Sequence, residues 1–147
     1  LNREFKIEWA SKDVLYKESD IISIHVPLTQ NTKNMITSKE LSMMKKNSML
    51  INTSRGGIIN EKDLYESLLE NKIGGAAIDV FDNEPYKGPL TKIDKCLLTA
   101  HMGSMSIDCR TRMEIEATEE VIRFTKGSPL LSEVPKSEYE IQEMDIN

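Results

Sequence analysis

The 147-residue chain is 39% hydrophobic and 29% charged, which is typical of a folded globular domain with one core. Its net charge is −5, with acidic and basic residues interspersed, so the sequence provides no basic surface for nucleic acid. No apolar run approaches the length of a membrane span and no signal peptide is visible, so we expect no membrane partner.

The two cysteines lie in different contexts. Cys96 opens an apolar run and Cys109 lies in a helical pattern, and we interpret both as reduced thiols in the core. This usage favours a cytoplasmic location. The chain has no C-x-x-C pair and only two histidines, so we predict neither a disulfide nor a metal site.

Apolar runs alternate with amphipathic segments along the chain, which is typical of an α/β fold. Four aliphatic runs predict strands at Ile21–Val26, Met49–Thr53, Ala76–Phe81 and Cys96–Ala100. The first run is almost continuously apolar, as in a strand covered on both faces of a parallel sheet. The alternation of Phe5, Ile7 and Trp9 suggests one more short strand at the start.

The predicted helices begin at side chains that cap helix N-termini, namely Ser11, Thr37, Asn60 and Ser106. The first helix should extend to Lys17 with Val14 and Leu15 inward. Glu40 completes capping-box spacing in the second, and the last should extend to about Lys126. This order predicts a layered α/β sheet with right-handed crossovers.

A polar elbow follows the second strand, where Thr53-Ser54-Arg55 is succeeded by Gly56-Gly57. Arginine presents a fixed fork of donors that suits a carboxylate. The glycines allow backbone to approach a ligand or adopt positive φ. A solvent-exposed arginine in an ordinary turn explains this stretch equally well when it is considered alone.

The carboxyl ends of parallel strands share one edge of a sheet, where α/β proteins bind their ligands. That edge should carry Arg55, Asp79 and His101, with Glu84 in the loop after Asp79. Such a set suits hydride transfer at a carbon that bears oxygen. His101 can exchange a proton with the substrate oxygen, Glu84 can stabilise the imidazolium, and Arg55 can hold a carboxylate.

Asp79 admits two interpretations, because a buried carboxylate needs a partner. It can cap a helix or form a salt bridge. Alternatively, it can accept a hydrogen bond from an amide ligand such as nicotinamide.

Four segments resemble successive signatures of the D-isomer-specific 2-hydroxyacid dehydrogenases, the family of phosphoglycerate, glycerate and D-lactate dehydrogenases. They are His25–Thr29, Leu50–Gly57, Ala77–Pro85 and Leu98–Gly103. The resemblance extends from about Ser11 to Gly127, in order, which makes it more specific than any single motif. It implies a partial Rossmann-type parallel sheet with helices on both faces.

The resemblance also implies the residues of the site. The catalytic set would be Arg55, Glu84 and His101. The residues along NAD would be Val26, Pro27, Thr53, Ser54, Arg55, Asp79, His101, Gly103 and Ser104. The substrate would be a small 2-keto or 2-hydroxy acid, and the full-length protein a homodimer. NADP stays open, because the residue facing the adenosine ribose is not in this sequence.

Two departures from the family pattern stand out. Ala100 occupies a position where the family often has proline. No G-x-G-x-x-G occurs, although the family places that phosphate loop before this region. We therefore expect residues 1–127 to be part of an NAD-binding domain that lacks the glycine-rich loop, followed by a polar tail at 128–147.

The strongest rival belongs to another class of protein, a non-catalytic dinucleotide sensor, because the family resembles a transcriptional corepressor. The intact Arg55, Glu84 and His101 argue against a loss of catalysis without excluding a regulatory role. Among related enzymes, formate dehydrogenases are expected to carry an amide in place of Glu84, so Glu84 favours the hydroxyacid branch.

Overall fold

The computed structural model describes residues 7–134 and divides the chain into two compact units, Leu1–Ala100 and His101–Asn147. The short strand predicted over Phe5–Trp9 lies only partly within the described residues. Phe5 lies outside the described residues, and 7–9 form no strand.

The first unit contains a four-stranded, fully parallel sheet whose strand order follows the chain. The strands are β1 (Ile21–Ile24), β2 (Met49–Asn52), β3 (Gly75–Ile78) and β4 (Cys96–Leu98). Register pairing puts Ile24, Asn52, Ile78 and Leu98 in one row. The predicted α/β class and parallel Rossmann-type sheet are confirmed, and the carboxyl ends of the strands lie along one edge.

One helix precedes β1 and two connect successive strands, and all three begin at the predicted caps. They are α1 (Lys12–Glu18), α2 (Ser38–Met43) and α3 (Glu61–Leu69), and a 3₁₀ turn spans Pro89–Lys92. Thr37 and Glu40 form the predicted capping box, and the Asn60 side chain accepts from the backbone N of Asp63 at 3.1 Å. Since right-handed crossovers between sequential parallel strands pass over the same face, α2 and α3 share one side of the sheet, and α1 packs against α2.

The orientation of α1 differs from the prediction. Val14 and Leu15 are 41% and 45% exposed, whereas Tyr16 is buried at 6%. A helix of seven residues presents one narrow stripe to the core, and here the large tyrosine ring fills it. Burial raises the pKa of the Tyr16 phenol, with the Glu40 and Asp13 charges adding to the effect.

The core lies between the helices and one face of the sheet. It is centred on Leu41, Leu50, Leu64 and Leu68, each at most 1% exposed. The opposite face is more open: Ile21 at the β1 edge and Leu97 on β4 are 62% and 66% exposed. The prediction that the first strand is covered on both faces is therefore wrong for the described residues, because no described element covers Ile21 on the second face of β1.

The second unit is built on one long helix, α4 (Ile107–Thr125), capped by Ser106 as predicted. Its apolar side chains are exposed, with Phe124 at 74%. Gly127 ends the helix at φ +66°. Neither cysteine is a fully buried core thiol, since Cys96 and Cys109 are both free and half-buried. No helix within residues 7–134 is both long enough and apolar enough to cross a membrane.

Candidate active site

The elbow after β2 is held by a side chain that the sequence prediction did not include. Asn52, the last residue of β2, is 2% exposed. Its Oδ1 accepts hydrogen bonds from the backbone N and the Oγ of Ser54, at 3.1 and 2.8 Å. Its Nδ2 donates to the backbone O of Arg55 at 2.9 Å. The sequence feature that could have identified Asn52 is a polar amide at the last position of a buried strand.

Arg55 is exposed at the tip of this elbow, flanked by the exposed Thr53 and the half-buried Ser54. Its Nη1 donates to the backbone O of Ser54 at 2.7 Å. A guanidinium has five N–H donors in a planar fork. The loop around the arginine is braced, and its role in binding an anion stays a prediction.

The glycines after Arg55 bring the elbow against the loop that follows β3. A Cβ on Gly56 would lie 2.0 Å from the backbone O of Phe81 and 2.7 Å from the backbone N of Asp82. Gly57 has φ +76°, and a Cβ there would lie 2.9 Å from Oδ1 of Asp82. The predicted positive φ is confirmed at Gly57, whereas the close backbone approach at Gly56 is to another segment of this chain and the predicted approach to a ligand stays a prediction.

Asp79 begins the loop after β3 and is 8% exposed. Its backbone N donates to the backbone O of Asn52 at 3.0 Å. Its Oδ1 accepts a short hydrogen bond from Oγ1 of Thr99, which follows β4. The ends of three neighbouring strands are therefore connected through Asp79. Thr99 is a partner that the sequence prediction missed, because 20 residues separate the two positions.

Glu84 is exposed farther along the same loop, and its Oε1 accepts from the backbone N of Phe81 at 3.0 Å. Glu61, at the start of α3, accepts from the backbone N of Asp82 at 2.8 Å. Burial raises the pKa of Glu61; the hydrogen bond from Asp82 opposes that rise and the Asp82 charge adds to it. In the sequence, Glu61 was indistinguishable from an ordinary acidic residue in the first turn of a helix.

Val26 and Pro27 follow β1 at the same edge of the sheet. Val26 is half-buried against the core, and Pro27 is exposed. The Pro27 backbone O accepts from Oγ1 of Thr32 at 2.6 Å, and the same Oγ1 accepts from the backbone N of Thr29 at 2.7 Å. Thr32 thus fixes the path of the chain immediately beyond this part of the edge.

His101 opens the second unit, and it is exposed with φ 52° and ψ 56°. Left-handed backbone is uncommon for residues other than glycine and is concentrated at functional sites. His101 precedes a 3₁₀ turn, Met102–Ser104, which contains Gly103. The convergence of His101 with Arg55 and Glu84 stays a prediction.

The residues at the edge of the first unit suit one end of a dinucleotide. Asp79 provides a carboxylate acceptor, Thr53 and Ser54 provide hydroxyls, and Arg55 provides a cation. Because an arginine fork binds a carboxylate or a phosphate alike, the assignment of these residues to the nicotinamide end stays a prediction. In the described part of the chain, no group of three His, Cys, Asp or Glu side chains could hold a metal.

A parallel sheet with helices on the crossovers and a polar elbow beyond its strand ends defines an α/β protein of the Rossmann type. The family model for "D-isomer specific 2-hydroxyacid dehydrogenase, NAD binding domain" matches residues 2–103. The chain belongs to this family.

Relatives support the same assignment. A glyoxylate reductase of Thermococcus litoralis is 43% identical over 125 residues, which is 84% of this chain and 38% of the relative. A solved glyoxylate reductase from Paecilomyes thermophila has a TM-score of 0.81 at 32% identity, covering 86% of this chain and 39% of that one. A D-lactate dehydrogenase with NAD⁺ from Lactobacillus jensenii has a TM-score of 0.76 at 27% identity, covering 86% and 43%. The chain thus spans well under half the length of these proteins.

Proposed function

We propose that this chain is part of an NAD-dependent oxidoreductase that interconverts a D-2-hydroxy acid and a 2-keto acid. The observation that carries the proposal is the contact at Gly56. It holds the elbow bearing Arg55 against the loop bearing Glu84, at the edge of the sheet where ligands bind. Family membership supplies the reaction class.

We assign Arg55 to bind the substrate carboxylate. Its guanidinium can bind both carboxylate oxygens and polarise the adjacent carbonyl as charge develops on the carbonyl oxygen. The bracing of its backbone by Asn52 reduces the reorganisation needed to present the fork.

We assign His101 to transfer the proton. In the reducing direction the imidazolium donates it to the carbonyl oxygen, and in the oxidising direction the neutral imidazole takes it from the alcohol. Glu84 is assigned to stabilise the imidazolium, because an adjacent carboxylate favours the charged form of histidine. NAD, when bound, supplies or accepts the hydride.

The remaining site residues are assigned to the cofactor. Asp79 would accept a hydrogen bond from the nicotinamide amide, which fits its buried position at the strand ends. The other residues assigned to the cofactor surface are Val26, Pro27, Thr53, Ser54, Arg55, His101, Gly103 and Ser104. NAD and NADP are distinguished by the protein group at the adenosine ribose. None of these residues is assigned to that ribose, so NADP stays open.

The wider organisation is also part of the proposal. Residues 1–127 would form the later portion of an NAD-binding domain, and 128–147 a polar tail. The full-length protein would be a homodimer. The two free cysteines favour a reducing, cytoplasmic location.

A steady-state assay of the full-length protein tests this function. It would follow NADH oxidation with glyoxylate, hydroxypyruvate, pyruvate and phenylpyruvate, with NADPH in parallel. The proposal expects turnover with at least one acid and a large loss in Arg55→Ala. Binding of NADH without turnover of any acid would contradict the enzyme and favour the dinucleotide sensor.

A further inference from the structure

We propose that Asn52 is a positioning residue for this reaction, acting through the backbone of the elbow on the guanidinium of Arg55. This inference rests on the proposed function of Arg55. It assigns a role to a buried amide that the catalytic set does not contain.

The amide of Asn52 is not required by the sheet. Its row neighbours on β1 and β3 are Ile24 and Ile78, both apolar and 4% exposed. The backbone O of Asn52 is already satisfied by the backbone N of Asp79. An apolar side chain would suit this row, and a buried amide is costly unless its atoms are hydrogen-bonded.

The hydrogen bonds of that amide all point into the elbow. Oδ1 accepts twice from Ser54, and Nδ2 donates to the backbone O of Arg55. One rigid planar group therefore fixes two consecutive residues of a turn that has no helix or strand of its own.

Arg55 is consequently held from both sides. Asn52 restrains the chain before and at the arginine, and Gly56 restrains it immediately after, against the backbone of Phe81. The Nη1 bond to Ser54 then links the guanidinium to a residue that Asn52 itself holds. Loss of the Asn52 amide should free the base of the arginine and leave its charge unchanged.

A double-mutant cycle in the full-length enzyme tests the inference. Asn52→Asp keeps the acceptor for Ser54 and loses the donor to Arg55, and Asn52→Ala removes both without burying a charge. We expect kcat/KM for the preferred 2-keto acid to fall at least tenfold in each. In an Arg55→Ala background, the same changes should alter the residual kcat/KM by less than twofold.

Ser48→Ala is the matched control, because Ser48 is buried just before the start of the same strand and its Oγ donates to the backbone O of Lys45 at 2.7 Å. It should lower the thermal midpoint and leave kcat/KM within twofold. Equal losses from the Asn52 changes in both backgrounds, or wild-type kcat/KM with either change, would overturn the positioning role. An inactive wild-type enzyme would instead overturn the proposed function, and this inference with it.

Discussion

The contact at Gly56 gives a strong prediction about stability. Gly56→Ala would place a methyl group 2.0 Å from the backbone O of Phe81 and 2.2 Å from its carbonyl carbon. Real Cβ contacts essentially never fall below 3.0 Å, and both of these neighbours are backbone atoms, so no side-chain rotation can relieve the clash. The elbow and the loop must separate by about 1 Å.

The cost of that separation has two parts. Overpacking of a tight contact costs about 1–3 kcal/mol. The shift also strains the hydrogen bond that joins the loop to α3, from the backbone N of Asp82 to Glu61, which contributes about 1 kcal/mol net. We therefore expect a destabilisation of roughly 2–4 kcal/mol, together with a loss of activity because Arg55 and Glu84 move apart.

Thermal unfolding of the full-length protein without cofactor measures this effect. At about 2–4 °C per kcal/mol, the midpoint should fall by roughly 4 °C or more. Gly103→Ala is the stability control, since a Cβ there has nothing within 4 Å and the midpoint should barely move. A Gly56→Ala protein with the midpoint of the wild type would refute the close packing of elbow and loop.

Three further predictions concern single residues. His101→Gln should lower kcat by roughly 10²–10⁴-fold, the scale of general acid–base catalysis. Arg55→Lys should also impair turnover, because an ammonium lacks the planar fork. Wild-type rates in either variant would remove that residue from the catalytic set. Burial raises the pKa of Glu61, so the folded protein binds this proton more tightly than the unfolded chain and stability falls as the pH rises through the raised pKa. Glu61→Gln should therefore stabilise the protein at neutral pH, and this gain in stability should vanish in acid. The thermal midpoint would be measured from pH 4 to 8, and a midpoint below that of the wild type at pH 7 would contradict the prediction. Burial raises the pKa of Cys96 to about 11, so in a Cys109→Ser variant its thiol should react with a disulfide reagent at pH 8 about a hundredfold more slowly than a free cysteine, and reaction at the free-cysteine rate would refute the burial.

Much of the fold could be predicted because its determinants are local. Thr37 and Asn60 cap their helices through bonds that span three residues, and such spacing is visible in a sequence. The strands follow from aliphatic runs. Because β-α alternation predicts a parallel sheet, the positions of Arg55 and Asp79 at one edge followed as well.

What the sequence did not disclose depends on contacts between distant residues. The bond from Thr99 to Asp79 and the bond from Asp82 to Glu61 each connect positions about 20 residues apart. No periodicity encodes such pairs. The exposure of Ile21 was mispredicted for a related reason, since an apolar run does not reveal whether another layer covers the second face of its strand.

The inward side of α1 shows a third kind of limit. Val14 and Leu15 were predicted to face inward, and Tyr16 was not considered. In a helix of two turns the direction of the stripe is decided by what it meets, and here the tyrosine ring reaches the core. Short helices therefore give weaker predictions than the strands beside them.

The stereochemistry of the product tests the central claim most directly. The full-length protein would reduce hydroxypyruvate with NADH, and the glycerate formed would be resolved on a chiral column. The family assignment and the roles given to Arg55 and His101 predict D-glycerate in large excess, with at most about one per cent as much product from the His101→Gln variant over the same period. L-glycerate, a racemate, or equal product from that variant would contradict the account.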